Sequence, residues 1–274
     1  MLRFELPLLL ACAVTNCLAA DYQIQANIRY AHFGETLVDI LQPPHPAMKD
    51  RIGILMVHGG GWIEGTKESA LPFCLPFVAQ DFVVANVEYR LASAAPAPAA
   101  VQDVLAAAKW FHDHAAEYHV DPNRIVAVGD SAGGHLALLA AMLPAQNEFG
   151  PVTKFAAVID FYGVADLMPL LNNQPGNFIL RWFGTRPDIV DLARKLSPIN
   201  YVRKDVPPVL AIHGSADNVV PYSESVRLVE ALQQAGRKAE LITVRGAGHG
   251  FTDQQSAALW PQIFKWMKKI KLNP

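Results

Sequence analysis

One serine in this chain lies in a setting that favours nucleophilic chemistry. Ser131 stands in the run Gly-Asp-Ser-Ala-Gly at 129–133, after the apolar stretch 124–128 and before a helical pattern that begins at Ala132. A G-x-S-x-G turn between a strand and a helix is a nucleophile elbow. The turn is so tight that it leaves no room for side chains at the two glycines, and it pushes the serine oxygen into the open. The pattern predicts that Ser131 is a nucleophile.

A glycine-rich loop supplies candidate N–H donors for the same chemistry. The run His-Gly-Gly-Gly-Trp occupies residues 58–62 and follows an apolar stretch. Glycines let the main chain approach a substrate closely and direct its N–H groups. We expect the N–H groups of Gly60, Gly61 and Ala132 to form an oxyanion hole. We expect His58 to orient the loop through hydrogen bonds.

A base and an acid are available later in the chain, in the order that this chemistry requires. Asp217 follows one apolar run, and His249 stands among glycines after the last one. Imidazole titrates near neutral pH, so His249 can take the serine proton and return it to a leaving group. Asp217 would fix the tautomer of that imidazole and stabilise its charged form. Asp160 and Asp166 remain alternative acids. Such a mechanism needs neither a cofactor nor a metal ion.

The elements that must position these residues alternate along the chain. Short apolar runs favour strands buried on both faces, and apolar residues at helical spacing follow several of them. Alternating strands and helices indicate an α/β protein with a mostly parallel central sheet and helices on both faces. Polar and apolar residues alternate in 22–31 and 36–41, which predicts an antiparallel pair at the edge of the sheet. The predicted strands are 22–31, 36–41, 51–58, 81–89, 124–128, 155–161, 209–213 and 239–244, and the predicted helices are 98–118, 132–143, 222–234 and 254–270.

Residues 163–206 interrupt this alternation. The segment contains four prolines and is too long for a simple connection. Its aromatic residues, Phe178, Trp182 and Phe183 among them, favour a small, partly helical cap insertion over one end of the sheet. A surface loop is the alternative. We expect Trp182, together with Trp62 of the glycine loop, to line the substrate pocket.

The composition excludes some classes of protein. The chain has 274 residues, of which 51 % are hydrophobic, and its formal net charge is −2. Such a chain can bury a sizeable core and is not disordered as a whole. Its 23 basic residues are balanced by 25 acidic ones. Without a basic excess to neutralise phosphates, we expect no nucleic-acid partner.

The first twenty residues have the pattern of a secretory signal peptide. Arg3 precedes an apolar run over 6–18, which ends at the small residues Ala19 and Ala20. The run is too short to span a bilayer. We therefore expect no stable membrane span, and export to the periplasm or the medium, with residues 21–274 as the catalytic domain. After cleavage only Cys74 of the three cysteines remains, so no intramolecular disulfide would form.

Taken together, the motifs resemble those of the α/β-hydrolase superfamily. The run HGGGW, the run GDSAGGHLA, the Tyr-Arg-Leu tripeptide at 89–91 and the late Asp217 and His249 are similar to those of hormone-sensitive-lipase-like carboxylesterases and of the bifunctional feruloyl/acetyl-xylan esterase branch. The resemblance implies an α/β-hydrolase fold and a serine carboxylesterase. Unlike the lipase-like branch, this chain has no helical cap pattern before its first strand. That difference favours a shallow site for short acyl groups, such as acetyl or feruloyl esters, on small molecules or polysaccharides.

Two other functions fit the same residues. The HGGGW loop also resembles that of arylformamidases, so an amide hydrolase, either arylformamidase-like or a peptidase, is the alternative. A non-catalytic binding protein is a remoter one, since plant gibberellin receptors and neuronal adhesion proteins reuse this fold after losing triad members. The ratio of ester to amide turnover separates the first two functions. Inertness toward a serine-directed phosphonate would favour the third.

Overall fold

A computed structural model describes residues 22–47, 49–171 and 177–273 of the chain. The predicted signal peptide lies outside these residues. The described part contains one sheet, with the strands β1 (Gln23–Arg29), β2 (Leu37–Gln42), β3 (Arg51–Val57), β4 (Val83–Val87), β5 (Val120–Asp130), β6 (Ala157–Phe161), β7 (Val209–Gly214) and β8 (Ala239–Val244).

The sheet is mostly parallel, as the sequence predicts. Its strand order is β1-β2-β4-β3-β5-β6-β7-β8, and every pair from β4 onward in this order is parallel. The strands β1 and β2 form the antiparallel edge that the alternation of polar and apolar residues indicates. Because β3, β5, β6, β7 and β8 run in one direction, their carboxyl ends meet at one edge. Ligands of open α/β sheets bind at that edge.

Helices cover both faces of the sheet. They are α1 (Leu71–Val78), α2 (Ala99–Asp113), α3 (Ala132–Met142), α4 (Met168–Leu171), α5 (Phe178–Phe183), α6 (Ile189–Lys195), α7 (Ser223–Gln234) and α8 (Asp253–Lys269). Four of them match helices predicted from periodicity, within a few residues at each end. Helix α1 is not predicted by the sequence analysis. It has a proline in its first turn and Pro76 inside, and its residues are apolar almost throughout.

The central strand β3 shows why the strand segments are continuously apolar. Its successive side chains point to opposite faces of the sheet. Leu55 and Val57 belong to the core cluster that contains α2 and α3, whereas Ile54 and Met56 belong to the cluster that contains α1 and α8. All seven residues of β3 are buried. A strand covered by helices on both sides has no solvent-facing positions for polar residues.

The cap segment, residues 163–206, contains the short helices α4, α5 and α6. Its large aromatic residues pack inward. Trp182 and Phe183 are 0 % and 1 % exposed and belong to the same core cluster as β3. The indole of Trp182 stacks on that of Trp62 with 4.2 Å between ring centroids. The prediction that these two tryptophans line the pocket is wrong, because each buries its ring against the other.

We predict that the tryptophan stack is a major source of stability for the cap and the glycine loop. Replacing a fully buried tryptophan by alanine costs about 3–5 kcal/mol. Trp182→Ala should therefore lower the free energy of unfolding, measured in urea, by about that amount. Leu180→Ala is the matched control on the same helix, because Leu180 is 39 % exposed and its loss should cost less than about 0.5 kcal/mol. Equal effects of the two changes would contradict the assignment of α5 to the core.

Candidate active site

The turn between β5 and α3 holds Ser131 in a strained conformation. Its φ is 53° and its ψ is −118°, outside the regions that side chains prefer. A Cβ at Gly133 would lie 2.0 Å from the carbonyl oxygen of Val57, and one at Gly129 would lie 2.3 Å from the carbonyl oxygen of Gly133. Both glycines are therefore required by backbone packing. The N–H of Ser131 donates to the carbonyl of Phe161 at 2.8 Å, which ties the turn to β6.

The structure brings Ser131, His249 and Asp217 into one hydrogen-bonded chain. His249 Nδ1 lies 2.7 Å from Asp217 Oδ2, and His249 Nε2 lies 2.8 Å from Ser131 Oγ. An ionised carboxylate can only accept hydrogen bonds, so the imidazole proton belongs on Nδ1. Nε2 then accepts the hydrogen bond that the serine hydroxyl donates. A serine paired in this way with a neutral imidazole can lose its proton during an attack.

The carboxylate of Asp217 is held by several donors. Its Oδ1 accepts the N–H groups of Val219 and Val220 at 2.8 and 3.0 Å. Its Oδ2 lies 3.2 Å from Nε2 of His213 and also accepts from His249. Burial opposes ionisation of this carboxyl, but the hydrogen bonds from His213 and His249 outweigh it and hold the pKa of Asp217 well below its usual range. The acid therefore stays charged at neutral pH.

The contact between His213 and Asp217 is a feature that sequence analysis missed. His213 is fully buried at the end of β7. Its Nε2 faces two acceptors, the carboxylate of Asp217 and the carbonyl of Val220, so its proton belongs on Nε2. Its Nδ1 then accepts a hydrogen bond from the hydroxyl of Ser225 at 2.7 Å. The only signal in the sequence is its spacing of four residues before the acid.

The two alternative acids lie elsewhere. Asp160 is fully buried in β6, where its Oδ1 accepts the N–H of Gly163 at 3.0 Å. Burial raises the pKa of Asp160 to about 7, although His213 and the Gly163 hydrogen bond oppose the shift. Asp166 forms an ion pair with Arg227. The geometry favours Asp217 as the partner of His249.

The glycine loop lies beside Ser131 at the mouth of one cleft. The cleft has a volume of about 340 Å³, and Gly60, Gly61, Ser131 and His249 all line it. Gly60 and Gly61 have positive φ values of 114° and 59°. None of the hydrogen bonds found among the described residues uses the N–H of Gly60, Gly61 or Ala132 as a donor. The N–H of Ala132 is at the first position of α3, which has no acceptor within its own helix. All three groups are available to a developing oxyanion.

The side chains of His58 and Asp130 both hydrogen-bond to the backbone of this loop. His58 Nδ1 donates to the carbonyl of Gly59 at 2.7 Å, and its Nε2 lies 3.2 Å from a carboxylate oxygen of Glu88. The sequence predicts that His58 orients the loop through hydrogen bonds, and these contacts agree with that prediction. Asp130 accepts the N–H of Gly59 at 2.9 Å through its Oδ1. Asp130 is the last residue of β5, so its carboxylate connects the end of this strand to the glycine loop.

The residues that line the cleft are not the two tryptophans that the sequence predicts. Trp62 and Trp182 are both 0 % exposed and do not line it. Tyr162, Phe178 and Ile63 line it instead, together with the exposed Val219 and Glu64. The sequence contains no pattern that marks Tyr162 as a cleft residue. It could not tell which aromatic residues of the cap face the cleft, because each side-chain direction depends on packing between segments distant in the chain.

The described residues contain no cluster of three or more His, Cys, Asp or Glu side chains that could hold a metal ion. In the same part of the chain, no helix is both long and apolar enough to cross a membrane. Cys74 is buried, and burial raises the pKa of its thiol.

Comparisons with known proteins agree on one family. The BD-FAE family model matches residues 38–232. Among curated relatives, Esterase LipQ of Mycobacterium tuberculosis is 33 % identical over 223 residues, which cover 77 % of this chain and 53 % of LipQ. Carboxylesterase NlhH of the same organism is 31 % identical over 223 residues, covering 76 % of this chain and 69 % of NlhH. The chain spans about half the length of the first curated relatives it matches.

Solved structures of similar proteins cover nearly the whole chain. A truncated carbohydrate esterase from gut microbiota superposes with a TM-score of 0.81 and 28 % identity, over 92 % of this chain and 98 % of that one. Propionate-bound Est2, an esterase from the planctomycete Thermogutta terrifontis, gives a TM-score of 0.77 and 27 % identity, over 92 % and 95 % of the two chains. These matches agree with the parallel sheet and its flanking helices.

We predict that Gly133 tolerates no side chain. Gly133→Ala would place a methyl group against the carbonyl of Val57, and we expect a loss of about 3 kcal/mol or more in the free energy of unfolding. Gly248→Ala is the matched control beside His249, because a Cβ there would meet no atom within 4 Å. Urea denaturation of both variants measures the difference. Similar stabilities would show that the close approach of α3 to β3 can relax.

We predict a pH dependence of stability that originates in Asp160. The unfolded chain releases this proton near the ordinary pKa of 3.8, whereas the folded protein holds it up to about 7. The raised pKa therefore adds to the free energy of unfolding in full below about pH 4, and this stabilisation is lost as the pH rises to about 7. Asp160→Asn cannot ionise, so its free energy of unfolding should fall less over this range than that of the wild type.

The measurement is a series of urea titrations between about pH 4 and 7. Asp205→Asn is the control, since the Asp205 side chain is 76 % exposed and should leave the slope unchanged. An identical pH slope for the wild type and Asp160→Asn would refute the prediction.

Proposed function

Because this chain belongs to the BD-FAE family of α/β-hydrolases, we propose that it hydrolyses carboxylic esters through an acyl-enzyme. Ser131 is the nucleophile, His249 is the general base and acid, and Asp217 orients His249. The observation that carries the proposal is the hydrogen-bonded chain from Asp217 through His249 to Ser131, which ends in a cleft beside the glycine loop. The names of the similar proteins, which include esterases and carboxylesterases, support the same reaction class.

In the first half of the reaction, Ser131 Oγ attacks the carbonyl carbon of the ester and its proton passes to His249 Nε2. The carbonyl oxygen becomes an oxyanion and receives hydrogen bonds from the N–H groups of Gly60, Gly61 and Ala132. The bond to the alkoxy group then breaks. The departing alcohol takes the proton from Nε2, and the acyl group stays on Oγ.

In the second half, a water molecule attacks the acyl carbon while His249 takes one of its protons. The tetrahedral intermediate collapses, the acid leaves, and Ser131 recovers its proton from Nε2. Asp217 remains ionised throughout, because its lowered pKa keeps a negative charge beside the imidazolium at each step. The protein's own residues balance every proton transfer, and water is the only co-reactant.

Short acyl groups suit the cleft best. Its volume of about 340 Å³ is at the small end of the range for ligand sites. The cap packs Trp182 into the core, and the only aromatic residue of α5 on the cleft wall is Phe178. We propose acetyl esters, free or linked to polysaccharides, as substrates, with feruloyl esters, whose acyl group is larger, as the second class. The carbohydrate esterase among the similar structures and the propionate bound to Est2 support this choice. Export through residues 1–20 stays a prediction and would bring the enzyme to such polymers.

Glu64 keeps amide hydrolysis as the second candidate. Glu64 is exposed and is one of the residues that line the cleft, and its carboxylate could bind the amine of a peptide-like substrate. Glu88, the other acidic residue near the loop, is bound to His58 and to the N–H of Lys67 instead. A comparison of turnover between an ester and the matching amide, with the same acyl group, decides between the two reactions.

The test is the release of p-nitrophenol from acetyl, butyryl and decanoyl esters by the full-length protein. We expect the acetyl ester to react fastest. Ser131→Ala and Asp217→Asn should each lower kcat by about 10⁴-fold, because the first lacks the nucleophile and the second favours the wrong tautomer of His249. Ser256→Ala on α8, outside the cleft, is the control and should keep wild-type activity.

Other outcomes assign other functions. Preference for the decanoyl ester would mean that the cap forms a deep acyl pocket. Turnover of acetanilides in place of esters would favour the amide hydrolase. If no substrate reacts and a fluorophosphonate fails to label Ser131, the chain is a binding protein that keeps the fold without the activity.

A further inference from the structure

Tyr162 has a backbone conformation that its residue type disfavours. It follows β6 directly, and its φ is 44°. Left-handed φ values are uncommon for residues other than glycine and are true outliers for bulky side chains. The N–H of Tyr162 donates to the carbonyl of Ile212 at 2.8 Å, which fixes the residue between the ends of β6 and β7. Strain of this kind persists where the surrounding structure imposes it, most often at functional sites.

The strained backbone places an aromatic ring beside the base. The ring of Tyr162 packs against the imidazole of His249, with 4.8 Å between centroids and 61° between planes. It also packs edge-to-face against Phe251, with 5.2 Å between ring centroids. The residue is 5 % exposed, and the exposed part lines the cleft next to Ser131.

His249 gains from such a neighbour because the two residues directly beside it pack loosely. A Cβ at Gly248 or at Gly250 would meet no atom within 4 Å. The loop is held two residues earlier, where the carbonyl of Ala247 accepts the N–H of Ala216 at 2.9 Å.

The imidazole is bonded at Nδ1 to Asp217 and at Nε2 to Ser131. These two hydrogen bonds set which groups the ring nitrogens face, but they resist a small rotation of the ring only weakly, because a hydrogen bond tolerates some loss of linearity. A ring packed against the imidazole opposes this rotation.

We propose that Tyr162 is a positioning residue that holds the imidazole of His249 at the tilt required for proton transfer. Its ring acts and its hydroxyl does not, because the restraint comes from the contact between ring surfaces. The left-handed backbone is what brings the ring to this place from the end of β6. The proposal rests on the proposed ester hydrolysis, in which Nε2 must face first Ser131 and then the leaving alcohol. Small errors in such an alignment are costly in rate.

The alternative is that Tyr162 is only a wall of the cleft. A wall residue changes how well the substrate binds, whereas a positioning residue changes how fast the bound substrate reacts. KM and kcat for p-nitrophenyl acetate therefore separate the two roles. Tyr162→Asn removes the ring and suits the backbone, because asparagine tolerates left-handed φ values. Tyr162→Phe removes only the hydroxyl.

For Tyr162→Asn we expect kcat to fall about tenfold or more, with KM within about threefold of the wild type. Tyr162→Phe should restore kcat to within about threefold. Tyr22→Asn makes the same change at a tyrosine before β1 that is 37 % exposed, and it should behave as the wild type. An unchanged kcat with a raised KM in Tyr162→Asn would overturn the proposal, as would a large loss of kcat in Tyr162→Phe. If Tyr162→Asn does not fold, Tyr162→Gly takes its place with the same expected result, because glycine adopts left-handed φ values without steric cost.

A proton NMR spectrum of the resting protein tests the same proposal without substrate. The Nδ1 proton of His249, bonded to Asp217, should give a far-downfield resonance that disappears in Asp217→Asn. We expect this resonance in Tyr162→Phe and its broadening by exchange with water in the variants without the ring. A sharp resonance in Tyr162→Asn would refute positioning. If the resonance responds as expected but no ester is hydrolysed, the proposed function fails and the positioning of His249 by Tyr162 stands.

Discussion

The site depends on a close approach between two backbones, that of α3 at its start and that of β3 at its end. The room for a Cβ at Gly133 is already filled by the carbonyl oxygen of Val57. This contact brings the serine turn next to the loop that follows β3, so Ser131, Gly60 and Gly61 line the same cleft. The bond from the N–H of Ser131 to the carbonyl of Phe161 extends the arrangement to β6. Everything else in the site is placed relative to this turn.

Three buried carboxyls near the elbow are distinguished by the donors around them. Asp217 receives bonds from two backbone N–H groups and two imidazoles, and its pKa lies well below the usual range. Asp130 and Asp160 each have one backbone donor from a loop glycine, and burial raises the pKa of both. Burial alone therefore favours the neutral acid, and only a sufficient number of donors produces the charged one. The fold thus stabilises a negative charge at Asp217, beside His249.

The cap and the glycine loop form one packed unit. Trp62 immediately follows the last glycine of the loop. Its indole stacks on Trp182 of α5 and packs edge-to-face with His135 of α3, and the latter two rings also contact each other. Burial lowers the pKa of His135 to about 4, although its bond to the carbonyl of Leu196 opposes the shift, so this side chain is neutral and packs as an aromatic ring. On α5, Phe178 faces the cleft while Trp182 faces the core. One short helix therefore both anchors the loop and contributes to the cleft wall.

The sequence alone determined the parallel sheet, the elbow at 129–133 and the glycine loop. Each follows from a local requirement: strands buried on both faces need continuous apolar runs, and tight turns need residues without a side chain. It favoured Asp217 as the acid for His249 and left Asp160 and Asp166 as alternatives, and the tertiary structure brings Asp217, 32 residues away in the chain, within hydrogen-bond distance of His249. The tertiary structure also decided that Tyr162 lines the cleft and that Trp62 does not. The physical reason is that side-chain directions and donor counts depend on packing between distant segments, which leaves no periodic signal in the sequence.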